Sequence, residues 1–111
     1  MNNLLEWLQN VYADDFCNGS WEHEHGFSLS NIDNPGWDFR FDLRDSDLSE
    51  IPMQKISMQV DELNWYMCRI EKEEFIGTGG AKNLIDILKV FRDWYIKASA
   101  IADKRTADNS E

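Results

Sequence analysis

Two cysteines, two histidines and two prolines are all that these 111 residues contain of those types, and each scarcity excludes something. Cys17 and Cys68 are too few for a disulfide scaffold and have no histidine nearby in sequence, so they read as two reduced thiols. No apolar run approaches the ~18 residues that a membrane span requires. Met1-Asn2-Asn3 carries no basic stretch of the kind that opens a secretory signal. The expectation is a soluble, cytoplasmic protein. A chain of this length can bury roughly two-thirds of its unfolded surface and needs neither metal nor disulfide to fold.

Basic residues are scarce where acids are dense. Residues 1–50 hold eleven acids against Arg40 and Arg44 alone, a net −9 of the whole chain's −10. Such a field repels nucleic acid and anionic membranes and attracts a basic partner. Solubility alone is the plainer explanation of acidity.

Hydrophobic spacing supplies the architecture. Asn3 followed by Glu6 has the form of a capping box, and Leu4, Trp7, Leu8 and Val11 recur at helical spacing over residues 4 to about 13. From Ser20 the period becomes two. Trp21, His23, His25, Phe27 and Leu29 alternate with Glu22, Glu24, Gly26, Ser28 and Ser30, which predicts a strand with unlike faces. Asn34-Pro35-Gly36-Trp37 suits a type II turn. Trp37, Phe39, Phe41 and Leu43 then oppose Asp38, Arg40, Asp42 and Arg44, completing a hairpin. An acidic loop spans Asp45 to Pro52.

A third strand is expected over Lys55–Val60 with Ile56, Met58 and Val60 inward. A fourth covers Asn64–Glu71, with Tyr66, Cys68 and Ile70 on one face and Trp65, Met67 and Arg69 on the other. Phe75-Ile76 extends it or adds a short edge, and Gly77-Thr78-Gly79-Gly80 breaks the pattern. A longer helix over about 81–102 carries the stripe Leu84, Ile87, Leu88, Phe91, Trp94, Tyr95 and Ala98. The expectation is one α+β domain over 1–102 and a polar, frayed tail over 103–111. In it an N-terminal and a longer C-terminal helix pack on one face of a four- to five-stranded antiparallel sheet.

Four candidate chemistries deserve weighing. His23 and His25 share a strand face in this reading and could chelate a metal, but no third histidine exists and Glu22 and Glu24 fall on the opposite face. Half-buried structural histidines are the simpler reading. Glu22, Glu24, Asp38 and Asp42 converge on a wet face with Arg40 and Arg44, where they stay ionised, so an acidic surface fits better than acid–base catalysis. Gly77 to Lys82 before a helix hints at anion binding, yet lacks the phosphate-loop ending. Cys68 lies in the apolar phase of its strand, as an inert thiol would. No catalytic residue, metal or cofactor emerges. Trp65 and Met67, in the outward phase, have the composition of a binding surface unless the loop at 45–52 covers them.

Several elements also resemble the immunity protein 53 family. They are Trp7-Leu8-Gln9-x-x-Tyr12, Gly19-x-Trp21-Glu22-His23, Gly26, Asp33-Asn34-Pro35-Gly36-Trp37 and Asp42-Leu43. Further along come Trp65-x-x-Cys68, Phe75-x-Gly77-x-Gly79-Gly80, Asn83-Leu84 and Phe91-x-x-Trp94. His25 and the residues after Ala98 lie outside the pattern. The resemblance implies an immunity protein of a bacterial polymorphic-toxin or contact-dependent inhibition system. Such a protein is not an enzyme; it binds the toxic C-terminal domain of a cognate effector, commonly a nuclease. The expected contact surface is Glu22, Glu24, Asp38, Asp42, Asp45 and Asp47, with Trp65 and Met67 as apolar anchors. Rival readings are a small metal-dependent enzyme using His23 and His25, or an acidic subunit of a non-toxin complex.

Overall fold

The computed structural model describes residues 3–33 and 35–108, the last four by backbone alone. Helix α1 (Leu4–Asn10) runs on into a π-helical segment (Val11–Phe16), and a single helical turn, α2 (Trp21–Glu24), follows. Strands β1 (Phe27–Ile32), β2 (Gly36–Asp42), β3 (Ile56–Gln59), β4 (Trp65–Glu71) and β5 (Glu74–Gly80) precede helix α3 (Leu84–Asp108). The sheet is antiparallel throughout, in the order β1-β2-β5-β4-β3. The predicted α+β class and helix–sheet–helix order are therefore present, with five strands.

The β1–β2 hairpin forms in the expected phase, pairing Phe27 with Phe41 and Ile32 with Gly36. Its predicted type II turn includes Asn34 and lies outside the described residues. Phe39, Phe41, Leu43, Cys68 and Phe75 are fully buried on the inner face, against Ile87, Leu88 and Phe91 of α3. Leu4 and Leu8 of α1 join the same core. The capping box is not formed: the Asn3 side chain makes no capping hydrogen bond.

Three expectations are corrected. Residues 21–24 are helical because local side chains outbid the strand: Asn18 Oδ1 accepts from the Ser20 and Trp21 amides at 3.0 Å each. Gly19, in the left-handed region at φ +91°, turns its amide onto the Glu22 carboxylate at 2.9 Å. The third strand is an edge, so Ile56 is 40% and Val60 70% exposed rather than inward. Most consequentially, the glycine run is no break. It is the end of β5, a central strand that pairs with both β2 and β4.

Close packing explains glycine there. A Cβ on Gly77 would collide with Ile87 Cγ2, and one on Gly79 would sit 3.0 Å from Ile87 Cδ1, so the two glycines let α3 lie directly on the sheet. Gly77→Ala is expected to cost about 1–3 kcal/mol through overpacking. In Ile87→Ala the obstruction is gone, and the double variant should be more stable than the sum of the two single losses by about 1 kcal/mol. Strictly additive urea-denaturation values would contradict this origin of the glycines.

The start of α3 is fixed by Asn83, a buried polar residue. Its Nδ2 donates to Asn64 Oδ1 at 2.8 Å and Asp86 Oδ2 at 2.9 Å, and its Oδ1 accepts from the Trp65 amide at 3.3 Å. Every polar atom of the amide is used by the protein itself, which accounts for this helix start without an anion. The stripe anticipated on α3 is the buried one, with Ile87, Leu88, Phe91, Tyr95 and Ala98 inside and Leu84 and Trp94 at its margin.

Candidate functional site: an acidic surface

The eight anticipated surface residues divide into two groups. Register puts Asp38, Thr78 and Met67 side by side across β2, β5 and β4 on the face opposite the helices, with Trp65 two residues along β4. Asp38 Oδ2 accepts from Arg40 Nε at 2.9 Å and Oδ1 from the Thr78 hydroxyl at 3.4 Å. Trp65 and Met67 are half-buried. Between Arg40 and Arg69 in the register lies Ile76, only 5% exposed although it faces away from the helices.

The second group gathers at the far end of β2, about 13 Å along the strand from Asp38. Here the two-histidine strand face does not exist. His23 stands in solvent on α2 with its side chain 75% exposed, whereas His25 is tucked between two carboxylates. His25 Nδ1 lies 2.8 Å from Asp42 Oδ2 and Nε2 lies 2.9 Å from Asp45 Oδ2. Asp42 is buried, contrary to its expected place on a wet face. Its carboxylate also accepts from the Arg44 backbone at 2.9 Å and from Arg44 Nη2 at 2.7 Å. Asp42 therefore ties β2 to α2 and to the loop after it, and is spent within the fold.

The hydrogen bond to Asp45, against the cost of burial and with Asp42 adding, raises the His25 pKa above the ordinary imidazole value. Burial alone would push Asp42 up, but hydrogen bonds from Arg44 and the charge of His25 outweigh it and hold the carboxyl below its ordinary range. His25 thus stabilises the fold fully below about pH 6.5, and that contribution is lost as pH rises through its higher folded value. Asp42 contributes above about pH 4 and loses its contribution as pH falls through its depressed value. The pair is at full strength between those limits. Thermal melts from pH 6 to 9 should show the parent protein losing more stability than His25→Gln. Parallel profiles would show that the imidazolium contributes nothing.

Glu22 is likewise engaged. Its carboxyl is held below the ordinary range by backbone amide hydrogen bonds, its own first, against some burial, with Gly19 and Asn18 adding to them. Glu24 is exposed. Because α2 is helical, Glu24 comes to the same side as His25, and one oxygen or nitrogen from each of Glu24, His25 and Asp45 falls within a 4.8 Å group. This is a different trio from the paired histidines. A cation there would have to displace the Nε2 proton and its bond to Asp45, with two of the three donors exposed.

Asp45 and Asp47 stand on the loop that follows β2, and that loop is no loose tether. Ser46 Oγ donates to the Leu43 carbonyl at 2.6 Å, and Leu48 and Ile51 are buried in the core. Three acids that the sequence pattern did not single out join them. Asp14 and Asp15 ride on the π-helical segment, held outward by buried Phe16, and Asp103 lies on α3. Together with Asp47 they wall a cleft of about 400 Å³. A consecutive Asp-Asp ahead of a buried aromatic is a faint sequence signal, and their meeting with Asp103 depends wholly on tertiary folding.

The molecule is an α+β domain in which Asp14, Asp15, Asp47 and Asp103 wall one cleft. The family model for immunity protein 53 matches residues 5–96, and the chain belongs to that family. Comparison with curated proteins and with solved structures gave no match. Immunity proteins are generally not enzymes, and membership implies a toxin as partner. Among the described residues no helix is long and apolar enough to cross a membrane.

Proposed function

We propose that this chain binds and neutralises the C-terminal toxin domain of a cognate bacterial effector, a basic nuclease, through its acidic surface and within the cytoplasm of the producing cell. Family membership carries the immunity reading. The charge argues for the rest. Nucleases bind polyanions and present basic clefts, so a −10 inhibitor is steered toward them and can occupy the substrate's place. Exposed Glu24, Asp45 and Asp47 make the contacts, while Glu22 and Asp42 support them from within. Asp38, Trp65 and Met67 form a second patch on the open sheet face, suited to anchoring rather than steering.

Co-expression tests this reading. Cells making the toxin domain encoded immediately upstream should survive when they also make this protein. Survival that fails with the intact protein, at equal toxin levels, would end the proposal.

A further inference from the structure

Beside the 400 Å³ cleft lies a narrower recess of about 130 Å³, and the two share Asp15, Phe16, Ser46 and Asp47 in their walls. The recess adds Asn18, Trp21 and Asp45. Among the described residues, no lysine or arginine forms an ion pair with Asp14, Asp15, Asp47 or Asp103. Carboxylates of one sign facing a common concavity favour a cation, and concave walls focus their field. Acidity alone would say no more than that.

Trp21 says more. It is 3% exposed, it lines the recess, and its indole Nε1–H is a buried donor without an acceptor among the described residues. A buried polar group left unpaired costs about 1–3 kcal/mol, so this donor favours whatever brings it an acceptor. The wall is also closely packed. Trp21 packs on Phe16 at 4.8 Å and Phe41 at 5.7 Å between ring centroids, and the Tyr95 hydroxyl donates to Asp15 Oδ2 at 2.6 Å. A bare metal ion would satisfy the aspartates and leave the indole unserved. A peptide segment with a lysine or arginine offers both a cation at the end of its side chain and, at the base of that side chain, backbone carbonyl acceptors.

We infer that this cleft is the receptor for a basic side chain on a loop of the partner, with the cation held by Asp15, Asp47 and Asp103 and a backbone carbonyl of the same loop accepting from Trp21 Nε1–H. The inference rests on the toxin-binding reading and names where the contact centres: the junction of the π-helical segment, the loop after β2, and α3.

Two measurements on the full chain separate the failures. In the first, acetyl-Gly-Arg-Gly-amide is titrated into ¹⁵N-labelled protein at constant ionic strength, with the citrulline peptide as the neutral control. The Trp21 indole N–H signal should shift saturably with arginine and not with citrulline, and the shift should vanish in Asp47→Asn/Asp103→Asn. These two residues are exposed, so the fold is expected to stand. In the second, the upstream toxin domain should bind Asp47→Asn/Asp103→Asn more weakly by about tenfold or more. Toxin that binds the variant as tightly as the parent overturns the cleft assignment and leaves immunity intact. Toxin that ignores the parent protein overturns immunity. An indole signal that responds to calcium chloride and not to the arginine peptide makes the cleft a cation site and overturns the inference.

Discussion

Replacing Phe91 by alanine should remove about 3–5 kcal/mol of stability, the largest loss expected of any single substitution in the molecule. The ring is fully buried on α3 and is the hub of the aromatic core. Its centroid lies 4.8 Å from Phe75, 5.1 Å from Phe41 and 5.4 Å from Phe39 on the sheet. It lies 5.8 Å from Trp7 of α1 and 5.9 Å from Tyr95. Removing it opens a cavity in contact with every layer at once, and aromatic rings relax into such a hole poorly. Against a total stability of about 5–15 kcal/mol, the variant is expected to melt at least roughly 12 °C lower. Ile96→Ala on the same helix, at a position 56% exposed, should change stability by no more than about 0.5 kcal/mol. Equal effects at the two positions would mean that α3 does not seal the core.

Charge reversal at Asp14, Glu24 and Asp47 should raise the dissociation constant for the toxin domain by about 100-fold or more at low salt. The melting temperature should move by no more than a few degrees. All three side chains are exposed, so little packing is lost. The change replaces three attractions by three repulsions, six units of charge at the face proposed to meet a basic cleft. Association should slow first, since steering alone is worth ~10–1,000-fold in rate, and the remainder should appear as faster dissociation. Reversal of Asp38 alone should do far less, because Asp38 is already neutralised by Arg40. Unchanged affinity in a folded triple variant would move the contact away from this end of the molecule, toward Trp65 and Met67.

The sequence made some of this legible because alternation and helical spacing are local. Trp37 to Arg44 gave its inward residues correctly, since Phe39, Phe41 and Leu43 are buried, and the stripe on α3 did the same. What it hid has particular causes. The end of strand β5 looked like a break because Gly77 and Gly79 make room for Ile87 of α3, and helix contact leaves no mark in a period-two pattern. The β4–β5 hairpin turn was equally silent. Lys72 and Glu73 both sit in the left-handed region, at φ 53° and 62°, a conformation normally announced by Asn-Gly. In Trp-Glu-His-Glu-His the alternation was real, but Asn18 and Glu22 spend their side chains on backbone amides and wind the segment into a helical turn.

The acidic site was half legible for the same reason. Composition located the charge in the first fifty residues, and the loop acids Asp45 and Asp47 stand where the contact is proposed. Composition could not distinguish a free carboxylate from one already used. Asp42 looked like its neighbours and is buried under Arg44 and His25, while Asp14 and Asp15, just past the helix predicted over residues 4 to about 13, line the cleft.

The most direct test is calorimetric titration of the upstream toxin domain into this protein at about 50 mM and about 500 mM salt, a range over which the Debye length falls from roughly 14 to 4 Å. Tight, saturable binding that weakens by about tenfold or more at the higher salt is the predicted result. Absent binding, or binding of equal strength at both concentrations, would contradict inhibition through an acidic surface.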